Sequence, residues 1–250
     1  MPVRAVTIDF WGTLLYDGPA SDNRYKRRRL SGFEGILAEA GKRVSTAALD
    51  RAYEQSASAL GRIWMQNRDV PVAQHVRAIL DLVDPRLADG LAPETLDALV
   101  SAYAEPALAV PPAVDDGALG ALQTLAARGL TLAVVSNTMR TPGATLRKIL
   151  ERYRLLPYFS VLTFSDECGI RKPDPEIFHL TLRETRIGAG EAVHVGDDPT
   201  LDVAGAHAAG MRAIQVTDGS PRGTGVQKPE ATIPRLAGLP EALARLDGDG

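Results

Sequence analysis

The sequence predicts an α/β protein in which a doubly wound parallel sheet carries an inserted α-helical domain. The apolar run at residues 3–8 is typical of a buried strand, and residues 23–108 then show helical periodicity without a strand-like run. From residue 111 onward strands and helices alternate with short connections, as in a parallel sheet with helices on both faces and right-handed crossovers. We therefore expect an α/β core at residues 1–16 and 111–250 and a helical domain at 17–110.

The insertion divides into four predicted helices. Glycine and proline mark their ends, because glycine commonly follows the last turn of a helix and proline is favoured in the first turn. One helix stops at Gly41, another begins behind Pro71, and a third has Pro93 in its first turn. The four predicted helices span residues 29–40, 46–64, 72–82 and 93–104.

Beyond the insertion, helices and strands are predicted in turn. The predicted strands are 130–135, 159–164, 192–195 and 212–216, and the predicted helices are 117–128, 143–153, 175–186, 201–209 and 239–246. The loop at 218–227 contains Gly-Thr-Gly, but no strand-to-helix turn surrounds it. It is therefore predicted to be a surface connection rather than a dinucleotide-binding loop.

Composition excludes several classes of protein. A hydrophobic content of 45% in 250 residues is ample for a buried core, and a net charge of −3 argues against a nucleic-acid partner. The single cysteine, Cys168, cannot form an internal disulfide, which favours a reducing compartment. No apolar stretch reaches the roughly 18 residues of a membrane span. We expect a cytoplasmic protein with no membrane contact, and the sequence leaves a homodimer open.

The apolar strand at residues 3–8 ends in an aspartate, Asp9. The carboxyl ends of parallel strands form the edge at which open α/β sheets bind ligands. A carboxylate there can attack a phosphoryl group and form a covalent acyl phosphate, so Asp9 is the candidate nucleophile. Because two negatively charged groups repel, such a site needs a divalent cation, and magnesium suits carboxylates and phosphates.

Two further groups follow other predicted strands. Asp197 and Asp198 come directly after the strand at 192–195, which places them beside Asp9 as candidate magnesium ligands. Ser136 and Asn137 end another strand and precede a helix, where a hydroxyl and exposed N–H groups can receive phosphate oxygens. In the Lys-Pro-Asp-Pro segment at 172–175, a lysine could balance the negative charge of the nucleophile and the phosphate.

Four motifs thus follow one another in a fixed order at the ends of predicted strands. They are Val-Thr-Ile-Asp-Phe-Trp-Gly-Thr-Leu at 6–14, Val-Val-Ser-Asn-Thr at 134–138, Lys-Pro-Asp-Pro at 172–175, and His-Val-Gly-Asp-Asp at 194–198 with Asp202. Together the motifs resemble the haloacid dehalogenase superfamily of hydrolases, which has a Rossmann-like core and a cap inserted after the first motif. The resemblance covers the whole predicted core.

The resemblance implies roles for the motif residues. Thr13 orients the nucleophile Asp9, and Ser136 and Lys172 take the family's serine and lysine roles. In the metal site, Asp197 is a direct ligand, Asp198 binds directly or through water, and Asp202 supports the site.

Trp11 departs from the pattern of the phosphatases, which have a second aspartate there. That aspartate acts as general acid and base, and such assistance contributes roughly 10²–10⁴-fold. The family's dehalogenases commonly have an aromatic residue at this position and need no metal, but they lack the Gly-Asp-Asp cluster. The backbone carbonyl of Trp11 could still bind magnesium, since a carbonyl does not depend on the side chain. Asp17, Tyr16 and His75 are candidates for a substitute acid, and a packing role is the more frequent one for a histidine such as His75.

The crowded carboxylates favour a magnesium-dependent hydrolase of a small phosphorylated metabolite, with a preference for good leaving groups. Two alternatives stay open: a non-catalytic protein that binds a phosphorylated ligand or a partner, and a 2-haloacid dehalogenase. The helical insertion leaves the core directly after the nucleophile loop and is predicted to be a lid over the site. Trp11 and the basic residues Arg24, Arg27 and Arg28 are candidate substrate contacts, although basic residues are usually a solvated helix face.

Overall fold

A parallel sheet forms the centre of the protein, as predicted. The computed structural model describes residues 1–18, 21–217 and 227–248. Its strands are β1 (Ala5–Ile8), β2 (Leu15–Tyr16), β3 (Ala113–Val114), β4 (Thr131–Ser136), β5 (Val161–Phe164), β6 (Ala192–Gly196), β7 (Arg212–Val216) and β8 (Ala231–Ile233). Strands β2 and β3 form a small antiparallel pair. The other six strands are parallel in the order β5-β4-β1-β6-β7-β8, which places the first strand in the middle.

The helices divide into those that cover the two faces of this sheet and those of the insertion. They are α1 (Ser21–Glu39), α2 (Thr46–Trp64), α3 (Val72–Val83), α4 (Pro93–Ala104), α5 (Pro106–Ala109), α6 (Ala118–Ala127), α7 (Gly143–Arg152), α8 (Ser165–Cys168), α9 (Pro175–Thr185), α10 (Gly205–Ala208) and α11 (Leu239–Gly248). Val6 and Ile8 of β1 belong to a hydrophobic cluster with α6, α7 and α11, whereas Ala5 packs in a second cluster with α9 and α10. This alternation along a strand is the mark of a sheet covered on both sides.

The helices α1 to α4 enclose a third hydrophobic cluster, separate from the two beside the sheet. Its fully or almost fully buried members include Phe33, Leu49, Ile79, Leu99 and Tyr103. In the chain these helices lie between β2 and β3, and the pairing of these two strands joins the chain that leaves the sheet to the chain that returns. The chain therefore leaves the sheet domain and returns to it at one place.

Most predicted elements are present, and the differences have local causes. Helix α1 begins at Ser21 rather than at residue 29. The prediction missed its first two turns because residues 21–28 contain a single large apolar residue, Tyr25, and so show no apolar period. The predicted helix 201–209 is a π-helical turn at Pro199–Ala204 followed by α10. The sequence did not predict β2, β3, β8, α5 and α8, which have only two to four residues each.

Two of the segments considered in the sequence are a glycine-rich loop and a possible membrane span. The Gly-Thr-Gly segment lies in residues 218–226, outside the described residues. Within the described ranges, no helix combines the length and the apolar character needed to cross a membrane.

The separate cluster of α1 to α4 leads to a prediction about stability. Leu99→Ala should lower the free energy of unfolding by about 2–5 kcal/mol, because Leu99 is fully buried and the substitution leaves a cavity. The matched control is Leu82→Ala on α3, where the leucine is 44% exposed and the loss should stay within about 0.5 kcal/mol. Urea unfolding measures both values, and equal losses would contradict this packing.

Candidate active site

Asp9 lies directly after β1, and a buried lysine joins it to the turn after β6. The Nζ atom of Lys172 donates to Oδ1 of Asp9 and to Oδ1 of Asp202, both at 2.6 Å. All three side chains are at most 8% exposed. Buried charges are costly unless they are paired and hydrogen-bonded. The two carboxylates therefore fix the position of the lysine beside Asp9, and its role in balancing charge remains a prediction.

His194 of β6 supports Asp202 from inside the sheet. Its Nε2 lies 3.0 Å from Oδ1 of Asp202, and its Nδ1 lies 2.8 Å from the hydroxyl of Thr7. Since a carboxylate only accepts, Nε2 carries the proton and the Thr7 hydroxyl donates to Nδ1. Burial lowers the pKa of His194 and keeps the ring neutral. Burial alone would raise the pKa of the Asp202 carboxyl, but Lys172 and His194 hold this pKa well below its usual range.

Asp197 brings a third carboxylate to Asp9 and Asp202. Each of the three offers one oxygen, and these oxygens lie within 4.8 Å of one another. Gly12 makes room for this approach, because a Cβ at that position would lie 2.6–2.8 Å from the carboxylate atoms of Asp197. Gly12 also has a φ of +77°, which residues with a side chain rarely adopt. Position 12 thus needs glycine for both space and backbone conformation.

The chemistry of this three-carboxylate cluster suits a hard divalent cation. Its donors are all oxygens, which are the ligands that magnesium prefers. Burial raises the pKa of Asp9 to about 7; Lys172 opposes this rise, and the charges of Asp202 and Asp197 add to it. A bound divalent cation would offset the repulsion and favour the ionised nucleophile. The residues present therefore fit magnesium, and the backbone carbonyl of Trp11 remains a predicted ligand.

Asp198 does not belong to this cluster of carboxylates. Its Oδ1 accepts hydrogen bonds from the backbone N–H groups of Thr200 and Leu201, at 2.7 and 2.8 Å. Its own N–H donates to Oδ2 of Asp202 at 2.9 Å. The side chain caps the first turn of the π-helical segment, whose N–H groups have no other partner within the turn. The structure thus does not place Asp198 as a direct ligand, and contact through water remains the prediction for it.

Two buried hydroxyls of the predicted motifs lack a hydrogen-bond partner among the described residues. They are Oγ1 of Thr13 and Oγ of Ser136, the last residue of β4. Such groups are rare in folded proteins and call for an explanation, such as a ligand. Asn137 behaves differently: its Nδ2 donates to the carbonyl of Lys172 at 3.1 Å, and its Oδ1 accepts from the N–H of Lys172 at 2.9 Å. Asn137 thus joins the loop after β4 to the loop that carries the lysine.

A cavity of about 480 Å³ lies between the inserted helices and this edge of the sheet. On the sheet side its lining includes Trp11, Asp17 and the segment 138–141. On the helical side it includes the aromatic residues Tyr25, Tyr53 and Trp64. Trp11 lies in the nucleophile loop, and residue 138 follows the two residues predicted to bind phosphate. The cavity thus adjoins two of the loops that carry predicted site residues.

The structure does not bring Arg24, Arg27 or Arg28 to this cavity. All three are exposed on α1, and none lines the cavity. Arg29 lines it instead, four residues after the buried Tyr25 and on the same face of the helix. The buried spacing of α1, which continues at residues 33 and 37, was the signal that could have identified it.

Two arginines that line the cavity cross between the inserted helices and the sheet domain. Arg29 donates from Nε to the carbonyl of Tyr103 at 2.8 Å and from Nη2 to the carbonyl of Arg140 at 3.0 Å. Arg140 reaches the opposite way: its Nη1 donates to the hydroxyl of Tyr103 at 2.9 Å, and its guanidinium lies 4.1 Å from the ring centre of Tyr53. These contacts hold the helical insertion against the sheet domain.

Of the candidate substitute acids, only Asp17 among the described residues lines this cavity. Its Oδ1 accepts from the hydroxyl of Tyr25 at 3.0 Å, and burial raises its pKa. The hydroxyl of Tyr16 donates to Asp115 at 3.4 Å. His75 is fully buried in the cluster of α1 to α4, where burial lowers its pKa to about 4, so the packing role applies to it.

Comparison with known proteins identifies relatives of the chain. The family model described as haloacid dehalogenase-like hydrolase matches residues 3–210. "Haloacid dehalogenase-like hydrolase domain-containing protein 3" of Bos taurus is 36% identical over 136 residues, which are 53% of each chain. A phosphoserine phosphatase of Thermus thermophilus is 39% identical over 105 residues, 42% of this chain and 39% of that one. The chain spans about half the length, or less, of these two relatives.

Solved structures agree with this family over nearly the full chain. A 2-haloacid dehalogenase from Pseudomonas syringae pv. Tomato is 25% identical with a TM-score of 0.68, covering 98% of this chain and 99% of that one. An HAD phosphatase from Thermococcus onnurineus is also 25% identical, with a TM-score of 0.62 and coverage of 96% and 98%. Since the family model spans well over half of the chain and the sheet carries the motifs in the expected places, the chain belongs to the haloacid dehalogenase-like hydrolase family.

Proposed function

We propose that this protein is a magnesium-dependent hydrolase of a small phosphorylated metabolite and acts through an aspartyl phosphate on Asp9. The observation that carries the proposal is the buried group of Asp9, Lys172, Asp202 and Asp197. A nucleophilic carboxylate, a fixed ammonium and further carboxylates for a cation are the parts that phosphoryl transfer to an aspartate needs. The similarity to a phosphoserine phosphatase and an HAD phosphatase supports the same reaction.

The proposed reaction has two steps. A carboxylate oxygen of Asp9 attacks phosphorus, and the bond to the leaving oxygen breaks with its electron pair. Water then attacks the same phosphorus, the bond between phosphorus and the Asp9 oxygen breaks, and the carboxylate is restored while the protons of the water leave with the phosphate product. Lys172 stabilises the negative charge in both steps, and the hydroxyl of Ser136 donates to a phosphate oxygen. Magnesium bound by Asp9, Asp197 and the carbonyl of Trp11 would neutralise further charge at this site.

Trp11 shapes the choice of leaving group in this proposal. An indole cannot protonate a departing alkoxide, so a substrate that leaves as a stable anion is favoured. Asp17 is the candidate acid for other substrates, because it lines the cavity beside Trp11 and burial raises its pKa. The helices of residues 17–110 act as the cap in this proposal, and the size of the cavity, about 480 Å³, fits a small molecule.

A second candidate is a 2-haloacid dehalogenase. It is favoured by the aromatic residue at position 11 and by the similarity to the Pseudomonas syringae dehalogenase over nearly the whole chain. The three-carboxylate cluster argues for the phosphatase, because a reaction without metal gains nothing from that repulsion. Release of halide from 2-haloacids would favour the dehalogenase. Tight binding of a phosphorylated ligand without turnover would favour a non-catalytic protein.

The nucleophile can be tested by substitution. Asp9→Asn should abolish turnover of aryl phosphates while the fold persists, because an amide cannot form the aspartyl phosphate. The control is Asp116→Asn, an exposed acid whose loss should leave the rate unchanged. Rapid quench followed by peptide mass spectrometry should locate the phosphoryl group on Asp9. An acyl phosphate on any other carboxylate would show the assignment to be wrong.

Magnesium should stabilise the folded protein, because a ligand that binds only the folded state raises its stability by mass action. We expect the melting temperature to rise over a millimolar titration of Mg²⁺, with a clearly smaller rise in Asp197→Asn and the full rise in Asp116→Asn. Differential scanning fluorimetry measures the shift. A flat titration together with activity in EDTA would count against a metal-dependent reaction.

The leaving group should control the rate if Trp11 leaves the site without an acid. Wild type should cleave an aryl phosphate far faster than an alkyl phosphate such as glycerol phosphate. Trp11→Asp should raise the alkyl rate by up to about 10²-fold, because it restores a proton donor. Trp11→Asn is the matched control, with the same loss of the indole but no acid, and urea unfolding checks that both variants fold. Efficient alkyl hydrolysis by wild type, with no gain in Trp11→Asp, would mean that another group supplies the proton.

A further inference from the structure

A buried carboxylate of the helical cap contacts the sheet domain at two loops of the candidate site. Asp69 lies between α2 and α3, and its side chain is fully buried. Its Oδ2 accepts from the hydroxyl of Ser165 at 2.5 Å and from Nη1 of Arg171 at 2.6 Å. Its Oδ1 accepts from Nε1 of Trp64 at 3.0 Å and from the N–H of Val70 at 2.9 Å. The carboxylate thus accepts four hydrogen bonds, two of them from the sheet domain.

The first loop is held through Ser165. Because a carboxylate only accepts, the hydroxyl proton of Ser165 points to Asp69, and the oxygen is left to accept. It accepts from the backbone N–H of Thr138 at 2.9 Å. Thr138 directly follows Ser136 and Asn137, the residues predicted to bind phosphate. Asp69 therefore fixes, through one hydroxyl, the position of the loop after β4.

The second loop is held through Arg171, the residue before Lys172. The guanidinium of Arg171 pairs with Asp69 and lies 4.8 Å from the ring centre of Trp64. Its backbone N–H donates to the carbonyl of Asn67 in the cap at 3.0 Å. The next residue, Lys172, is tied to the first loop by its two backbone bonds with Asn137. The cap thus reaches the lysine that holds the nucleophile.

The same network reaches the wall of the cavity. Trp64 donates to Asp69, and Nη2 of Arg171 lies 3.2 Å from the sulfur of Met139. Both Trp64 and Met139 line the cavity. One buried carboxylate is therefore linked to the cavity wall through Trp64, to the loop after β4 through Ser165 and to the loop of Lys172 through Arg171.

We propose that Asp69 is a positioning residue for phosphoryl transfer. It holds the two catalytic loops in register through Ser165 and Arg171, so that a docked cap assembles the site as well as covering it. This inference rests on the proposed function for its effect on the rate. Asp69 acts through its partners, since the acceptor sites of its carboxylate are filled by them.

Asp69→Asn tests the proposal with little change in volume. In the asparagine, one of the two accepting oxygens is replaced by an NH₂ group. This group faces donors, so the two hydrogen bonds to that atom are lost. For p-nitrophenyl phosphate with Mg²⁺ we expect kcat to fall roughly 10- to 100-fold with KM changed by less than about threefold, because misplaced groups act on the transition state. The control is Arg68→Ala, which removes an exposed ion pair with Asp174 at the same cap contact and should leave kcat unchanged.

A double-mutant cycle and hydrogen exchange give readouts that a general loss of stability would not reproduce. The double variant with Arg171→Met and Asp69→Asn should lose little more kcat than either single variant, since both substitutions break the same contact. Amides of residues 136–141 and 165–173 should exchange about tenfold faster in Asp69→Asn but not in Arg68→Ala, while α6 and α11 keep their protection.

The outcomes separate this inference from the proposed function. Unchanged exchange in both segments overturns the inference whatever the activity, and faster exchange with an unchanged kcat overturns the positioning role. If wild type hydrolyses no phosphate ester, the proposed function fails, and the exchange still decides whether Asp69 holds the two loops.

Discussion

The pairing of Lys172 with Asp9 and Asp202 is the contact on which the candidate site depends. One buried ammonium pairs with two buried carboxylates, and a third buried carboxylate, that of Asp197, lies close to them. Charges removed from water are stable only with close partners, which forces the ends of β1 and β6 and the loop of the lysine to meet at one edge. Clustered carboxylate oxygens are also the donors that a hard divalent cation prefers. The same electrostatics thus shapes the fold locally and predicts the ligand.

Sequence periodicity was sufficient to predict the sheet and much of this site, because parallel strands bring their carboxyl ends to one edge. Asp9 and Asp197 were found in this way, each directly after an apolar run. Other residues depend on contacts that no local pattern shows. The phase of α1 places Arg29 rather than Arg24 against the cavity. Asp69 lies in a short loop of the cap, and its partners in the sheet domain, Ser165 and Arg171, are about a hundred residues away in the chain.

Contacts between the cap and the sheet domain are of two chemical kinds. The guanidinium groups of Arg29 and Arg140 bind neutral carbonyls and hydroxyls and lie over tyrosine rings, so these contacts depend on geometry and burial. Asp69 instead forms a buried ion pair with Arg171, in which loss of one partner leaves an uncompensated charge. The first kind holds the cap beside the cavity. The second joins it to the loops that surround Asp9.

The central place of β1 has a consequence for how the chain folds. Its neighbours β4 and β6 begin at residues 131 and 192, so the strand that precedes Asp9 is synthesised before both and completes its pairing only after residue 192 has been made. The cap helices, by contrast, contact one another over short separations and can form earlier. Until β6 arrives, the apolar edge of β1 is unpaired. An unpaired strand edge can pair with another chain, so this interval is when the nascent protein is most open to aggregation.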